Sequence, residues 1–425
     1  MSNKSSKMFL EFAGKMRDVS QIKDTLSGEA LTKALEVEGY YPPFFEKAIA
    51  NTGNRAMLKA LFEKAERGED ITIVGFGGSI TQKAACRCVE DSYSYLVADW
   101  FRKKFPEIQV NWHNAGIGAT TSVLGIARMK AQVLSFNPDF VIVDFTTNDQ
   151  PDNFHAGSYE AIIRTLYENK VAFLCIAYGS INNAKYKAES IYERHPNREE
   201  LHGPVILHNN APVIDYYGTM WDCYLDADGD GLNGETDVAH WTSLWADYIH
   251  PNAQGHKLAS NAIIHYLSKV YDDKENITEE FYFPEKPYDM YTDNFMGAEM
   301  YEYDHKDIEK VLTYKTDGIT NDQYVNNDST TKYKWHPWTL KTGEYMEFTV
   351  TKAKMFAIMR VVSKQSGTAE IYINDVKVET DCSRVERTPL NWMKFIKFFD
   401  GQDINVKILC TSDTYYITSV LIAQE

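Results

Sequence analysis

A chain of 425 residues, 44% hydrophobic and 24% charged, has enough apolar content to build more than one core and too much to be disordered. Its net charge of −16 argues against a nucleic-acid binder, which must displace counterions from phosphate, and against attachment to an anionic membrane surface. No apolar run approaches the roughly 20 residues that cross a bilayer, so neutral substrates remain.

The opening stretch, MSNKSSKMFLEFAGKM, has neither an apolar signal core nor a small-residue cleavage site. It reads as the start of a cytoplasmic chain, or of a mature form whose signal has been removed. Six cysteines in this length do not make a disulfide scaffold, and the Cys86-x-Cys88 pair lacks a second pair at zinc-binding spacing. Residues 1–53 read as an N-terminal helical extension. From Asn54 to Arg67 the apolar residues Met57, Leu58, Leu61 and Phe62 recur at helical spacing, and Gly68 stops the helix. Ile71–Phe76 is a short β-branched run ending in glycines, the pattern of a strand buried on both faces. The same pattern returns at Phe140–Phe145 and Val171–Ala177, with helical stretches at Ser92–Lys104 and Val123–Phe136 between the runs and a closing helix near Asn261–Val270. Strands alternating with helices imply a parallel sheet covered on both faces, a three-layer α/β/α domain placed at residues 54–285. After Pro284 the pattern changes to short alternating runs: Tyr345–Val350, Phe356–Val362, Ala369–Ile373, Asn405–Cys410 and Tyr415–Ile422. Turn pairs such as Asn374-Asp375 and Asp400-Gly401 separate them, so residues 286–425 are expected to form a β-sandwich.

Four separated segments carry the chemistry. Gly77-Gly78-Ser79-Ile80-Thr81 follows the first strand and exposes a hydroxyl on a tight turn. It lacks the third glycine of a dinucleotide fingerprint, the Lys-Ser/Thr of a P-loop and the final glycine of a G-x-S-x-G elbow. Asn114-Ala115-Gly116-Ile117-Gly118, Thr147-Asn148-Asp149 and Asp247-Tyr248-Ile249-His250 complete the set. In this order the segments resemble the four blocks of the SGNH (GDSL-type) hydrolase family, over roughly residues 54 to 268. The matching residues are Ser79, Gly116, Asn148, and Asp247 with His250. The first block reads GGS rather than GDS, and Thr146 stands where the family often has Gly; neither change removes a catalytic group.

The resemblance implies a serine esterase, and the residue chemistry agrees with it. A serine hydroxyl needs an adjacent base, and His250 is the candidate. Asp247, three residues earlier, can hold the other imidazole nitrogen. The Ser79 N–H, the Gly116 N–H and the Asn148 amide are the expected donors to the tetrahedral oxyanion. No cofactor is needed for this catalysis, and Asp149 reads as an anchor of its loop. Joined to a β-sandwich, such a domain resembles bacterial carbohydrate acetyl esterases acting on xylan or mannan. An acidic chain with 13% aromatic residues suits neutral sugars. Trp335, Trp338 and Trp392 are candidates for a sugar-stacking platform, against the plainer reading of core packing. A lipase, thioesterase or general carboxylesterase with the same triad is the enzymatic alternative, and a carbohydrate-binding protein on a hydrolase scaffold is the non-enzymatic one.

A separate motif runs from Asp226 to Asp237. Asp226, Asp228 and Asp230, the Leu232 carbonyl and Asp237 follow the calcium-loop pattern D-x-D-x-D-G, with Asp in place of the closing Glu. Its alternative is an acidic surface loop. If the loop holds structural calcium, a chelator should lower the thermal melting midpoint; identical melting curves with and without chelator would remove the metal.

Overall fold

The computed structural model describes residues 45–46, 48–150, 152–178, 202–216, 244–247, 249–303, 305–308, 312–314, 337–386 and 390–425. The chain divides into two compact units: residues up to 125 with 132–292, and residues 126–131 with 293–425.

The first unit is built on a six-stranded sheet. Its elements, in chain order, are β1 (Ile49–Asn51), α1 (Ala56–Glu66), β2 (Ile71–Gly77), α2 (Ser79–Gln82), α3 (Tyr93–Lys104), β3 (Val110–Gly116), the start of α4 (Ser122–Gln132, of which residues 126–131 group with the second unit), β4 (Phe140–Asp144), α5 (Asn153–Glu168), β5 (Ala172–Ile176), α6 (Gly203–His208), β6 (Val213–Ile214) and α7 (Ala253–Asp272). Strand order is β1-β6-β5-β4-β2-β3, and β2 to β6 are all parallel. Successive residues of a buried strand face opposite layers. Ile71, Ile73, Phe140, Ile142, Leu174 and Ile176 share one core with Leu58 and Phe62 of α1, Val97 and Phe101 of α3 and Leu258 of α7. On the other face, Phe173 of β5 meets Tyr167 of α5 edge to face at 4.9 Å. The doubly covered parallel sheet expected from the strand and helix alternation is present.

Two details differ from the sequence expectation. The segment placed in a helical extension contributes β1, which adds antiparallel to β6 with Ile49 opposite Ile214. Residues 286–292 stay with the first unit. There the buried Glu160 carboxylate on α5 accepts from the Tyr288 and Asp289 N–H groups, the Thr292 hydroxyl and the Asn209 amide. A buried carboxylate needs such donors, and three of the four come from residues 288–292.

The second unit is an eight-stranded antiparallel sheet folded on itself. It comprises β7 (Glu299–Glu302), β8 (Leu312–Tyr314), β9 (Trp338–Lys341), β10 (Tyr345–Val362), β11 (Thr368–Ile373), β12 (Val376–Cys382), β13 (Leu390–Ser412) and β14 (Thr414–Gln424). The two runs expected at 345–350 and 356–362 are halves of one long strand. Register shifts between Val350 and Ala353, and again between Ala353 and Met355, bend β10 against β13. The bend brings Phe348 and Phe356 to 6.0 Å, so the two halves face each other across a shared core. Asp400-Gly401, read as a turn, is a bulge inside β13, with Gly401 at φ 69°. Asn374 and Asp375 do form the turn, both at positive φ, closing the two-residue hairpin between β11 and β12.

A buried ion pair ties these layers together. Arg360 donates from Nε and Nη2 to both oxygens of Asp381, at 2.6 and 3.0 Å, and the Tyr415 hydroxyl donates to the same carboxylate at 2.6 Å. Burial pushes the Asp381 carboxyl up, but the Arg360 and Tyr415 contacts outweigh it and hold it below its ordinary 3.8. Among the described residues no helix is long and apolar enough to cross a membrane. Because the folded carboxyl titrates below the unfolded one, its stabilisation is present above about pH 4 and lost as pH falls further. Asp381→Asn leaves the Arg360 charge buried and should cost about 3 kcal/mol in chemical denaturation at pH 7, with the gap to wild type narrowing in strong acid. An unchanged denaturation midpoint would make the pair dispensable.

Candidate active site

Three of the four segments converge where the parallel strands end, the edge at which open α/β sheets hold ligands. Strand β2 turns into α2 without a linker, and the turn works only with glycine. A Cβ on Gly77 would lie 2.3 Å from the Asp144 carbonyl, and one on Gly78 would lie 2.9 Å from the Asn148 amide nitrogen. The missing side chains let Asn148 approach the backbone next to Ser79. Beneath this turn the Thr81 hydroxyl is 2.7 Å from the Tyr93 hydroxyl and donates to Asp144 at 3.0 Å. Burial pushes the Asp144 carboxyl up to about 7, against the opposing effect of its Thr81 bonds.

The last segment arrives as a closed turn. Ala246 N–H donates to the His250 carbonyl and Asn252 N–H to the Leu244 carbonyl, both at 2.9 Å. The Asn252 side chain then caps α7 by accepting from the Gln254 and Gly255 N–H groups. Within the turn, one Asp247 oxygen accepts from the Ile249 and His250 N–H groups, each at 2.7 Å. The other oxygen meets His250 Nδ1 at 2.8 Å. Partial burial pushes the Asp247 carboxyl up, yet these bonds prevail and hold it below its ordinary value. An ionised Asp247 can only accept, so Nδ1 carries the hydrogen and Nε2 is left as an acceptor. Nε2 lies 3.0 Å from Ser79 Oγ. Ser79, His250 and Asp247 thus form one continuous hydrogen-bonded chain, arranged to draw a proton from the hydroxyl.

Behind His250, the fully buried His256 accepts the Tyr93 N–H on Nδ1, and burial pushes it down to about 4. It therefore adds no charge near His250 at neutral pH.

The second segment is placed differently from expectation. Gly116 closes β3, and its N–H is donated to Asn114 Oδ1 at 2.9 Å, while Asn114 Nδ2 donates to the Thr81 carbonyl. A Cβ on Gly116 would lie 2.2 Å from the Gln82 backbone nitrogen. Gly116 therefore permits close packing of β3 on α2, and its N–H is already engaged. The glycine beside Ser79 is Gly118: a Cβ there would lie 3.7 Å from Ser79 Cβ. Gly118 N–H donates to Gln82 Oε1 at 2.7 Å, and Asn148 Nδ2 donates to the Thr120 carbonyl at 3.1 Å. The loop at 118–120 was visible in the sequence only as the second glycine of NAGIG.

Of the tryptophans, Trp338 is fully buried in the core of the second unit, near Tyr303, and is no sugar platform. It sits on β9 among residues that the folded sheet encloses. Trp392 is 51% exposed. Trp335 and the acidic loop with Asp226, Asp228, Asp230, Leu232 and Asp237 lie outside the described residues. Among the described residues no group of three or more His, Cys, Asp or Glu side chains is placed to hold a metal.

Comparison with known proteins adds to this geometry. Residues 76–258 match the GDSL-like Lipase/Acylhydrolase family. A solved two-domain esterase active on acetylated mannans, co-crystallised with mannopentaose, is 25% identical, with a TM-score of 0.71 over 90% of this chain and 98% of that one. A second structure of a two-domain esterase active on acetylated mannans gives the same identity and TM-score, covering 90% of this chain and 99% of the other. No match is found among curated proteins. With the strand-end placement of its blocks, the chain carries a GDSL-like lipase/acylhydrolase domain over residues 76–258 and is a carboxylic ester hydrolase of the SGNH type.

Proposed function

We propose that the protein removes O-acetyl groups from mannan- or xylan-type oligosaccharides through a Ser79 acyl-enzyme. The observation that carries the chemistry is the hydrogen-bonded chain from Ser79 Oγ through His250 to Asp247. The substrate class is supported by the likeness, along nearly the whole chain, to the esterase active on acetylated mannans.

In the first half-reaction, Ser79 Oγ gives its proton to His250 Nε2 and bonds to the acetyl carbonyl carbon. Asp247 accepts from Nδ1 throughout and stabilises the imidazolium. The carbonyl oxygen becomes an oxyanion. Its donors are the Ser79 N–H, which opens the first turn of α2 and has no intrahelical acceptor, and the second amide hydrogen of Asn148. The third place, given to Gly116 by the sequence, is not filled by that residue, because the Gly116 N–H is donated to Asn114 Oδ1, just as the Gly118 N–H is donated to Gln82 Oε1. The ester C–O bond breaks as His250 returns the proton to the departing sugar oxygen. Water, deprotonated by His250, then attacks the acetyl-enzyme, and acetate leaves with Ser79 restored.

Acetate release from acetylated manno- and xylo-oligosaccharides, run beside a series of simple esters of increasing acyl length, tests this reading. Wild type should release acetate from the glycans and Ser79→Ala should not, with the same fold by circular dichroism. More than a few per cent residual activity would remove Ser79 as nucleophile, and activity that rises with acyl length on simple esters alone would replace the glycan reading with a lipase-like one. Asn148→Ala should lower kcat by about 10²–10³ at little change in KM, and a loss confined to KM would deny it a role in the transition state.

A further inference from the structure

Asn148 sits on a short turn after β4, and the turn itself offers little to hold an amide in place. The residue that follows, Asp149, is fully buried and grips two other elements. Its Oδ1 accepts the Ser122 N–H at the start of α4, at 2.8 Å. Its Oδ2 lies 2.9 Å from His202 Nε2, just before α6, with His202 also fully buried. The His202 ring lies 4.1 Å from the Tyr159 ring of α5, and its Nδ1 has no hydrogen-bond partner among the described residues. A carboxylate can only accept, so Nε2 bears the hydrogen that this bond needs. The pair joins two fully buried groups 53 residues apart along the chain.

The same loop that Asp149 grips through Ser122 also receives the Asn148 side chain, whose Nδ2 donates to the Thr120 carbonyl. The 146–149 turn and the 118–122 loop are thus joined twice, by the adjacent residues Asn148 and Asp149 of the turn and by Thr120 and Ser122 of the loop. We infer that Asp149 and His202 are positioning residues for catalysis: they hold Asn148 in the orientation that presents its remaining amide hydrogen to the oxyanion. The inference rests on Asn148 being an oxyanion donor. An amide displaced by a few tenths of an ångström keeps its ground-state contact with Thr120 but loses alignment with a charge that exists only in the transition state. The defect therefore belongs in kcat.

A double-mutant cycle on p-nitrophenyl acetate separates this role from general support of the fold. His202→Ala should lower kcat about tenfold or more with KM within about twofold, while His202→Gln, which keeps an N–H donor, should restore most of the loss. In the Asn148→Ala background, His202→Ala should change kcat by less than about twofold, because the group being positioned is gone. Equal losses in both backgrounds, with Asn148→Ala itself strongly impaired, would overturn the inference and leave the oxyanion reading standing. An Asn148→Ala enzyme with intact kcat would remove both. Should His202→Ala fail to fold, Asp149→Asn carries the same cycle, since its amide oxygen can still face Ser122 while its NH₂ no longer accepts from His202.

Discussion

The site depends on how closely backbone can approach backbone at the carboxyl end of the sheet. Strand β2 passes into the helix that opens with Ser79 through two glycines, one against the Asp144 carbonyl and the other under the Asn148 amide. Gly116 lets the end of β3 press on the backbone of Gln82. These contacts leave no room for a methyl group, so residues from three strands meet within reach of one hydroxyl. The hydrogen bond between Ser79 and His250, separated by 171 positions in sequence, follows from that packing. Helix α2 has only four residues and could not hold its own position in isolation. It is held from outside, by Thr81 on Asp144, by Asn114 on the Thr81 carbonyl and by Gln82 on Gly118.

Polar groups at this end of the sheet fall into two layers with different electrostatics. Asp247 and His250 are partly exposed, and their geometry is written by local bonds within one turn. Behind them lie Asp144, Asp149, His202 and His256, all buried. Burial pushes Asp144 up and His256 down, toward the neutral form in each case. His256, held in its neutral form, adds no charge beside the partly exposed His250. Buried Glu160 is satisfied by four donors: three of them bind residues 288–292 to α5, and the fourth is the Asn209 amide that follows α6.

The second unit solves a different problem, closing an antiparallel sheet without leaving its faces open. Its two longest strands, β10 and β13, run side by side through both layers and change register at shared bulges, so one ladder makes two walls. Phe348 and Phe356, eight residues apart on one strand, face each other because of that bend. Between the walls the Arg360–Asp381–Tyr415 group takes strands from both layers into one polar cluster, with Arg360 also donating to the Trp392 and Met393 carbonyls. The cluster fixes where β12 sits, since Asp381 is the one buried residue on that otherwise exposed edge strand.

What could be read from the sequence follows from which signals are local. The strands β2, β4 and β5 announce themselves because burial on both faces demands continuous apolar runs, and Ser79, Asp247 and His250 because each lies in a short motif. Strand β3 does not: Val110–Gly116 reads VNWHNAG, its middle residues are only half-buried, and nothing in its composition separates it from a loop. The helix α7 was legible in its apolar half, but its first turns begin at Ala253 because Asn252 caps there. In the second unit a bulge and a turn use the same residues, so Asp400-Gly401 and Asn374-Asp375 look alike in sequence and differ in structure. Only the partner strand distinguishes them. Gly116 shows the same limit at the site. A glycine in the right block suggests an open N–H, but Asn114, two residues before it, takes that N–H, and the space beside Ser79 belongs to Gly118. His202 carries no motif at all. Its place opposite Asp149 is decided by how α6 enters the fold, so its contribution to the site appears only once two segments 53 residues apart are packed together.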